Sequence, residues 1–299
     1  MFAILGAAGK VGRSAIRELR MRDMPVRAVL RDASRAAEFA ALGCETAVAD
    51  LRDVAALQAA ISGAQAVQVI CPMSVKADDA SADMAAIIET IGATLEAARP
   101  AAIVAVSDYG AQLDEGTGVT LTFHHLEARL RKLPSSLTFL RSAEQMQNWS
   151  RHIGLAASTG VLPSMHRPLT KLFPMVSATD VGVVAAQLLI RANTAAVPRI
   201  VHVEGPRRYT PLDVAATLGE LLGRGVTARA IPRADWVPAL VRGGLGESYA
   251  RLVADLYDAH NAGRIDAEQG VGEIRHGTSE LRDVLASLLP QRGPAVARS

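Results

Sequence analysis

Cysteine is scarce: Cys44 and Cys71 are the whole complement of a 299-residue chain. Both sit in apolar, strand-like stretches without the CxxC or Cys/His spacing that holds a metal. They read as small buried hydrophobes, and a disulfide scaffold is excluded. Charge of one sign is lacking too. Lys and Arg number 32 against 30 Asp and Glu, and no block of about five basic residues occurs, so the electrostatic footprint of a nucleic-acid binder is missing. No stretch reaches the ~18 uninterrupted apolar residues of a membrane span. No charged segment precedes the first strand at Met1. The expectation is a soluble, cytoplasmic protein that engages neither nucleic acid nor membrane. HExxH and the nucleophile elbow are absent as well, so no metal is expected, and no internal repeat stands out.

What is present is apolar material, 49% of the residues, ample for one large domain or a core with an appended lobe. In the first half, short apolar runs alternate with amphipathic ones: "FAILGA" then Lys10 to Met21, "VRAVLR" then Ala33 to Leu42, "ETAVAD" then Val54 to Ile61. "AVQVIC", "AAIVAVS" and "SLTFLR" follow, separated by helical stretches at Asp79 to Ala98 and Thr120 to Lys132. Strands buried on both faces read as continuous apolar runs, so the alternation predicts a doubly wound parallel α/β sheet of Rossmann type.

Beyond Arg141 the pattern loosens around Pro163, Pro168 and Pro174, then "DVGVVAAQLLI" and "RIVHVEG" restore a helix and a strand that rejoins the sheet. Thr210, Pro211 and Asp213 form a helix start of cap, first-turn proline and acidic residue. "GVTARAIP" and the helical "ESYARLVADLYDAHNAG" complete the C-terminal part. The expected division is a nucleotide-binding core over residues 1–147, with 177–205 returning to it, and a smaller substrate or partner lobe from 148–176 and 206–299.

The stretch "GAAGKVG" places Gly6, Gly9 and Gly12 between the first strand and its helix. That junction needs a tight turn, backbone approach to a pyrophosphate and close helix packing, all of which favour glycine. Ala8, Lys10 and Val11 of the same turn join the glycines as expected cofactor contacts. The second strand ends at Leu30, and Arg31 and Asp32 follow it. Arg31 can pair with a 2′-phosphate and so favours NADP(H); Asp32 keeps NAD(H) open as the alternative. Lys10 and Arg35 either join that phosphate pocket or are solvated helix charges. After the third strand, Asp50 and Leu51 are placed to take the adenine amino group and cover the ring, although Asp50 serves equally as a helix cap. Cys71 and Pro72, at the end of the fourth strand, complete the expected cofactor contacts.

These residues resemble the NmrA-like family of atypical short-chain dehydrogenase/reductase proteins. The likeness runs through "GAAGKVG", the strand-end "LRD", "VSDYGA", "HHLEARLRKLPSSLTFLRSAEQMQNW", "VSATDVGVVAAQLL" and "VEGPRRYTPLDVAATLGELLGR". It implies a Rossmann fold that binds NAD(P) and carries a small C-terminal substrate lobe. The family holds quinone and isoflavone-type reductases alongside redox-sensing regulators, so it leaves turnover open.

Typical short-chain reductases protonate a carbonyl from the Tyr of a YxxxK pair whose Lys lowers the tyrosine pKa. Here Tyr109 is followed four residues later by Leu113, and Tyr209, Tyr249 and Tyr257 also lack Lys at that interval. In reductases of the resembled family a lysine before the sixth strand approaches the nicotinamide, commonly four residues ahead of a glutamate. Taking Glu127 as that glutamate, the position holds Phe123, with His124 and His125 next to it. His124, Tyr109 and Ser107 are therefore the catalytic candidates, beside Asp108, with satisfaction of local backbone groups as their structural alternative. Asn148 and Trp149 are placed to offer a flat substrate an amide and an aromatic face, and packing and turn capping compete for both. His166, in a Pro-bounded loop, is a further candidate.

The leading expectation is an NADPH-dependent oxidoreductase acting on a small-molecule substrate, a quinone or carbonyl compound. Lack of YxxxK weakens carbonyl reduction more than quinone reduction, because an electron-poor quinone needs less acid help. The alternative is an NADP(H)-sensing regulator of weak or no turnover, whose C-terminal surface binds a protein partner. A nucleotide-sugar epimerase or dehydratase normally needs the missing pair.

Overall fold

In the parallel sheet the central strands are mostly apolar and buried almost along their whole length, because helices cover both faces. The computed structural model describes residues 1–191 and 197–290. Strands β1 (Phe2–Ile4), β2 (Val26–Leu30), β3 (Glu45–Val48), β4 (Ala66–Ile70), β5 (Ala102–Asp108) and β6 (Ser136–Ser142) alternate with helices α1 (Lys10–Arg20), α2 (Ala36–Ala40), α3 (Val54–Ile61), α4 (Ala80–Ala98) and α5 (Leu121–Leu130). The expected helix at Ala33 to Leu42 divides into a 3₁₀ turn, Ala33–Arg35, and the short α2. Asp32 starts the turn by accepting from the Ser34 N–H at 2.8 Å.

The second half contributes β7 (Glu144–Gln145), α6 (Ser150–Thr159), β8 (Val161–Ser164), β9 (Met175–Val176), α7 (Ala178–Ile190), β10 (Arg199–Glu204), α8 (Pro211–Leu222), β11 (Thr227–Ala230), α9 (Trp236–Arg242), α10 (Glu247–Asn261), β12 (Glu273–His276) and α11 (Leu281–Leu288). The large sheet has eight strands in the order β12-β10-β6-β5-β4-β1-β2-β3, and its pairings are parallel. Strand order reverses at β1, which pairs with both β2 and β4. The crevice above such a switch point is where a doubly wound sheet receives its ligand.

Two apolar layers flank the sheet. One packs α1 and α7 through Val11, Ala15, Ile16, Val181 and Ala185. The other packs α3, α4 and α5 through Leu57, Ile88, Ile91 and Leu126. A third cluster around Met146, Trp149, Phe173, Tyr209 and Leu218 forms the core of the C-terminal lobe. Thr210 caps α8 as expected: its hydroxyl accepts the Asp213 N–H at 3.0 Å, and the Asp213 carboxylate accepts the Thr210 N–H at 2.7 Å. β11 pairs with β8 in a small separate sheet.

One part of the 206–299 stretch departs from its expected place in the lobe. β12 returns to the edge of the large sheet beside β10. Its sequence, EIRH, carries charges and is mostly exposed, as befits an edge strand, and offers no apolar run to detect.

Candidate active site

The dinucleotide end of the crevice is built from backbone. Gly6 turns the chain with φ +73°, and the Gly9 N–H bonds back to its carbonyl at 3.0 Å. A Cβ on Gly12 would lie 2.4 Å from the Gly6 oxygen and 2.9 Å from the Ala7 Cα, so the helix can pack on the turn only as glycine. Gly9 opens α1 without a side-chain cap, and no acidic residue stands in its first turn. By contrast Asp53 caps α3 and Asp79 caps α4. The leading amides and positive dipole end of α1 are thus left to an anion, which fits a pyrophosphate. Ala8 is half-buried, Gly9 and Lys10 are exposed, and Val11 is buried facing the cleft.

Arg31 is exposed beside a cavity of about 340 Å³ that it lines with Arg52, Lys76 and Asp83. Arg52 is already paired with Asp83 at 2.7 Å, whereas Arg31 has no carboxylate within ion-pair range among the described residues. Asp32, engaged at Ser34, has its carboxyl held below the usual range chiefly by that backbone hydrogen bond. Arg35 reaches the turn, donating to the Ala8 carbonyl at 3.3 Å and to Glu38 at 2.8 Å. Asp50 accepts the Arg52 N–H at 2.9 Å, and it is Asp53 that caps the helix. Leu51 is half-buried next to it.

The other end is a cleft of about 470 Å³ above the C-terminal ends of β4, β5 and β6, roofed by α10. Val11, Cys71, Pro72, Ser107, Tyr109 and Asn148, all named from sequence, line it. Cys71 is an inert wall: burial pushes its thiol up to about 12. Ser107 and Tyr109 have committed hydroxyls. Ser107 Oγ donates to Glu127 at 2.7 Å, and Tyr109 Oη donates to Glu204 at 3.4 Å. Burial and the neighbouring Glu204 raise the Tyr109 phenol far above its ordinary value. Neither hydroxyl is free to serve as a proton donor.

His124 is not in this cleft. Its Nδ1 faces the Ala111 carbonyl at 3.0 Å, and it lines a different cavity beside Arg131 and Arg141. Phe123 takes the cleft-facing position on α5 instead; neighbours on a helix point about 100° apart, so only one of them can. Trp149 is likewise redirected: it is 5% exposed, donates to Met175 Sδ at 3.2 Å and fills the lobe core. Exposed Asn148 remains at the cleft rim.

Behind the floor, Arg141 and Glu127 form a buried pair, 2% and 3% exposed, with Arg141 Nε and Nη2 donating to Glu127 at 2.9 and 2.8 Å. Burial raises the Glu127 carboxyl, and Arg141, Ser107 and Arg131 more than reverse that, holding it below the ordinary range.

Four cleft residues escaped the sequence reading. Glu144 pairs with His166 Nε2 at 2.8 Å and accepts from Tyr257 Oη at 3.1 Å. Burial pushes its carboxyl up, but His166, His260 and Tyr257 bring it down to about 2. Burial, with His166 next in weight, brings His260 down to about 4, so it is neutral near pH 7. Tyr249, Tyr257 and His260 all project from α10 into the cleft. Their eight- and three-residue spacing is close to whole helical turns, the one sequence signal that marks them.

A model of the NmrA-like family matches residues 1–273. The chain is 27% identical over 263 residues to the NAD(P)H azoreductase of Xenophilus azovorans, covering 86% of each chain. It is 25% identical over 296 residues to quinone oxidoreductase 2 of Escherichia coli, covering 96% of this chain and 98% of that one. Among solved structures, the Escherichia coli NADPH-dependent quinone oxidoreductase complexed with NADPH superposes with a TM-score of 0.79 at 23% identity, over 96% and 99% of the two chains. The Citrobacter sp. triphenylmethane reductase complexed with NADP(H) superposes with a TM-score of 0.80 at 18% identity, over 97% and 100%. At those identities the superpositions speak to the fold. The glycine turn at the switch point, the parallel sheet and the match over residues 1–273 make this chain a member of the NmrA-like family.

Proposed function

We propose that the protein is an NADPH-dependent oxidoreductase that reduces a small quinone or carbonyl compound. The observation that carries this reading is the continuity of the crevice: Val11, beside the uncapped start of α1, also lines the cleft beneath α10. One ligand can therefore lie with its pyrophosphate on the glycine turn and its nicotinamide over the ends of β4 and β5. The names of the azoreductase and quinone oxidoreductase relatives support the same reaction class.

Gly6, Gly9 and Gly12 would hold the pyrophosphate, Arg31 the 2′-phosphate, and Asp50 and Leu51 the adenine. Cys71 and Pro72 would wall the nicotinamide, while Asn148 offers its amide at the substrate rim. A bound nicotinamide supplies a hydride. The chain's own part is to orient the acceptor and keep water out, and Ile70, Val106, Phe123 and Leu256 give the cleft apolar walls for that.

NADPH oxidation by the purified protein across quinone, azo and carbonyl acceptors tests the reading, and turnover is expected with the electron-poor conjugated acceptors. NADPH binding without oxidation of any acceptor would replace it with the NADP(H)-sensing regulator, for which the missing YxxxK pair is the motive.

A further inference from the structure

We propose that Asp108, the last residue of β5, is the catalytic residue that protonates the acceptor as it is reduced. The inference rests on the reductase reading above. Asp108 lines the cleft at the end of β5, where the reading above lays the nicotinamide, and its Cα lies beside that of Ser142 at the end of β6. It keeps part of its surface open to the cleft, while Thr120 Oγ1 donates to its Oδ2 at 2.5 Å and fixes the carboxyl.

Most of the other acids and hydroxyls at this end are spoken for; Tyr249 on α10, which also lines the cleft, is the competing donor that the test below separates. Ser107 donates to Glu127, Tyr109 to Glu204 and Tyr257 to Glu144, which itself faces His166. Burial lifts the Asp108 carboxyl to about 7, with the charge of Glu144 acting in the same direction and hydrogen bonds from Thr120 and the Tyr109 N–H opposing it. The charged or titratable groups sharing the cleft are Cys71 after β4, Tyr109 after β5, Glu144 on β7, Arg151 on α6, and Tyr249, Tyr257 and His260 on α10. Cys71 and Tyr109 are both raised by burial and so protonated. Glu144 stays ionised, near 2, and His260 stays neutral, near 4. Burial keeps both α10 tyrosines protonated, with Tyr249 pushed up to about 12. Asp108 is thus a half-buried acid at the cleft surface with its carboxyl raised to about 7, which suits general acid catalysis near neutral pH.

The step balances as follows. The acceptor takes a hydride from the reduced nicotinamide, and the negative charge collects on an acceptor oxygen, or on nitrogen in an azo compound. The O–H bond of Asp108 breaks, its electron pair stays on the carboxylate, and the proton forms the new O–H or N–H bond. Water at the cleft mouth returns a proton to Asp108.

Two measurements on wild type, Asp108→Asn and Thr120→Val test this. The first needs no cofactor: the urea midpoint of unfolding between pH 4 and 9. A carboxyl raised from 3.8 to about 7 in the folded state contributes stability at low pH that is lost as pH climbs through 7. Asp108→Asn should therefore gain on wild type over that window and hold its lead above it. The second is kcat against pH with a carbonyl or azo acceptor. Wild type should fall off above about pH 7, Thr120→Val should move that limb to higher pH, and Asp108→Asn should lose the limb with kcat lowered about 100-fold.

Unchanged kcat and limb in Asp108→Asn, or a limb that vanishes in Tyr249→Phe and persists in Asp108→Asn, would overturn the inference alone. Wild type that binds NADPH and reduces no acceptor would overturn the reductase reading and the inference with it. Should Asp108→Asn fail to fold, an unmoved limb in Thr120→Val serves as the overturning result.

Discussion

At the glycine turn the surface is made by backbone: amides without caps, a left-handed Gly6 and a Gly12 that admits no Cβ. Under α10 the surface is made by side chains, among them Glu144, held by Tyr257 and His166, while the Glu127–Arg141 pair lies behind the cleft floor. Backbone recognition tolerates almost no change in covalent shape, whereas side-chain networks tolerate shape changes and fail when a charge loses its partner. On the reductase reading, the first end would take one constant ligand and the second could be re-specified by a few substitutions.

Arg141→Met should do the most damage. It leaves the 3% exposed Glu127 carboxylate without its bidentate partner, at a cost of about 3–5 kcal/mol in urea unfolding. Gly12→Val follows: its side chain meets backbone atoms at 2.4 and 2.9 Å, so about 1–3 kcal/mol of overpacking is expected, together with loss of NADPH binding by fluorescence titration. If the variant bound NADPH normally, the rigid-backbone side of the contrast would fall. Arg31→Ala should weaken NADPH about tenfold, or 1.4 kcal/mol, and leave NADH nearly unchanged; equal losses for both would remove Arg31 from the 2′-phosphate.

The acid limb of stability separates the two ends in another way. Glu144 has its folded pKa depressed from 4.5 to about 2, so its contribution is intact above 4.5 and drains away as pH falls toward 2. His260, depressed from 6.5 to about 4, opposes stability in the adjoining window as pH falls from 6.5 to 4. Glu144→Gln should flatten the lower limb, measured by urea midpoints, because the charge that falls away there is gone. The smallest effect belongs to His124→Ala. With His124 on a separate cavity, NADPH affinity and quinone turnover should match wild type, and a loss of turnover would return it to the candidate list.

The contrast also explains what could be read from sequence. The Rossmann half was legible because buried parallel strands are continuous apolar runs and because the close contacts at Gly6 and Gly12 permit only glycine. Thr210 and Asp213 announced their helix through capping chemistry that is local. The far end depends on contacts distant in the chain: Glu144 meets Tyr257 across 113 residues, and Tyr109 meets Glu204 across 95. Nothing local to Ser107 or Tyr109 says that its hydroxyl turns from the cleft. His124, a cleft residue on the sequence reading, lies one helical step away from it, the interval that puts Phe123 in the cleft instead. β12 was missed because an exposed edge strand need not be apolar.

β12 also fixes how the molecule can be dissected. The chain leaves the large sheet at Glu204, builds α8 to α10 of the lobe, and re-enters at Glu273 beside β10. The lobe is tied into the sheet at both ends, like a handle riveted twice. A truncation meant to free the nucleotide-binding half from it would strip the cover from the β10 edge, where four residue pairs from Val201 to Glu204 now meet β12. The bare strand would become a template for another chain.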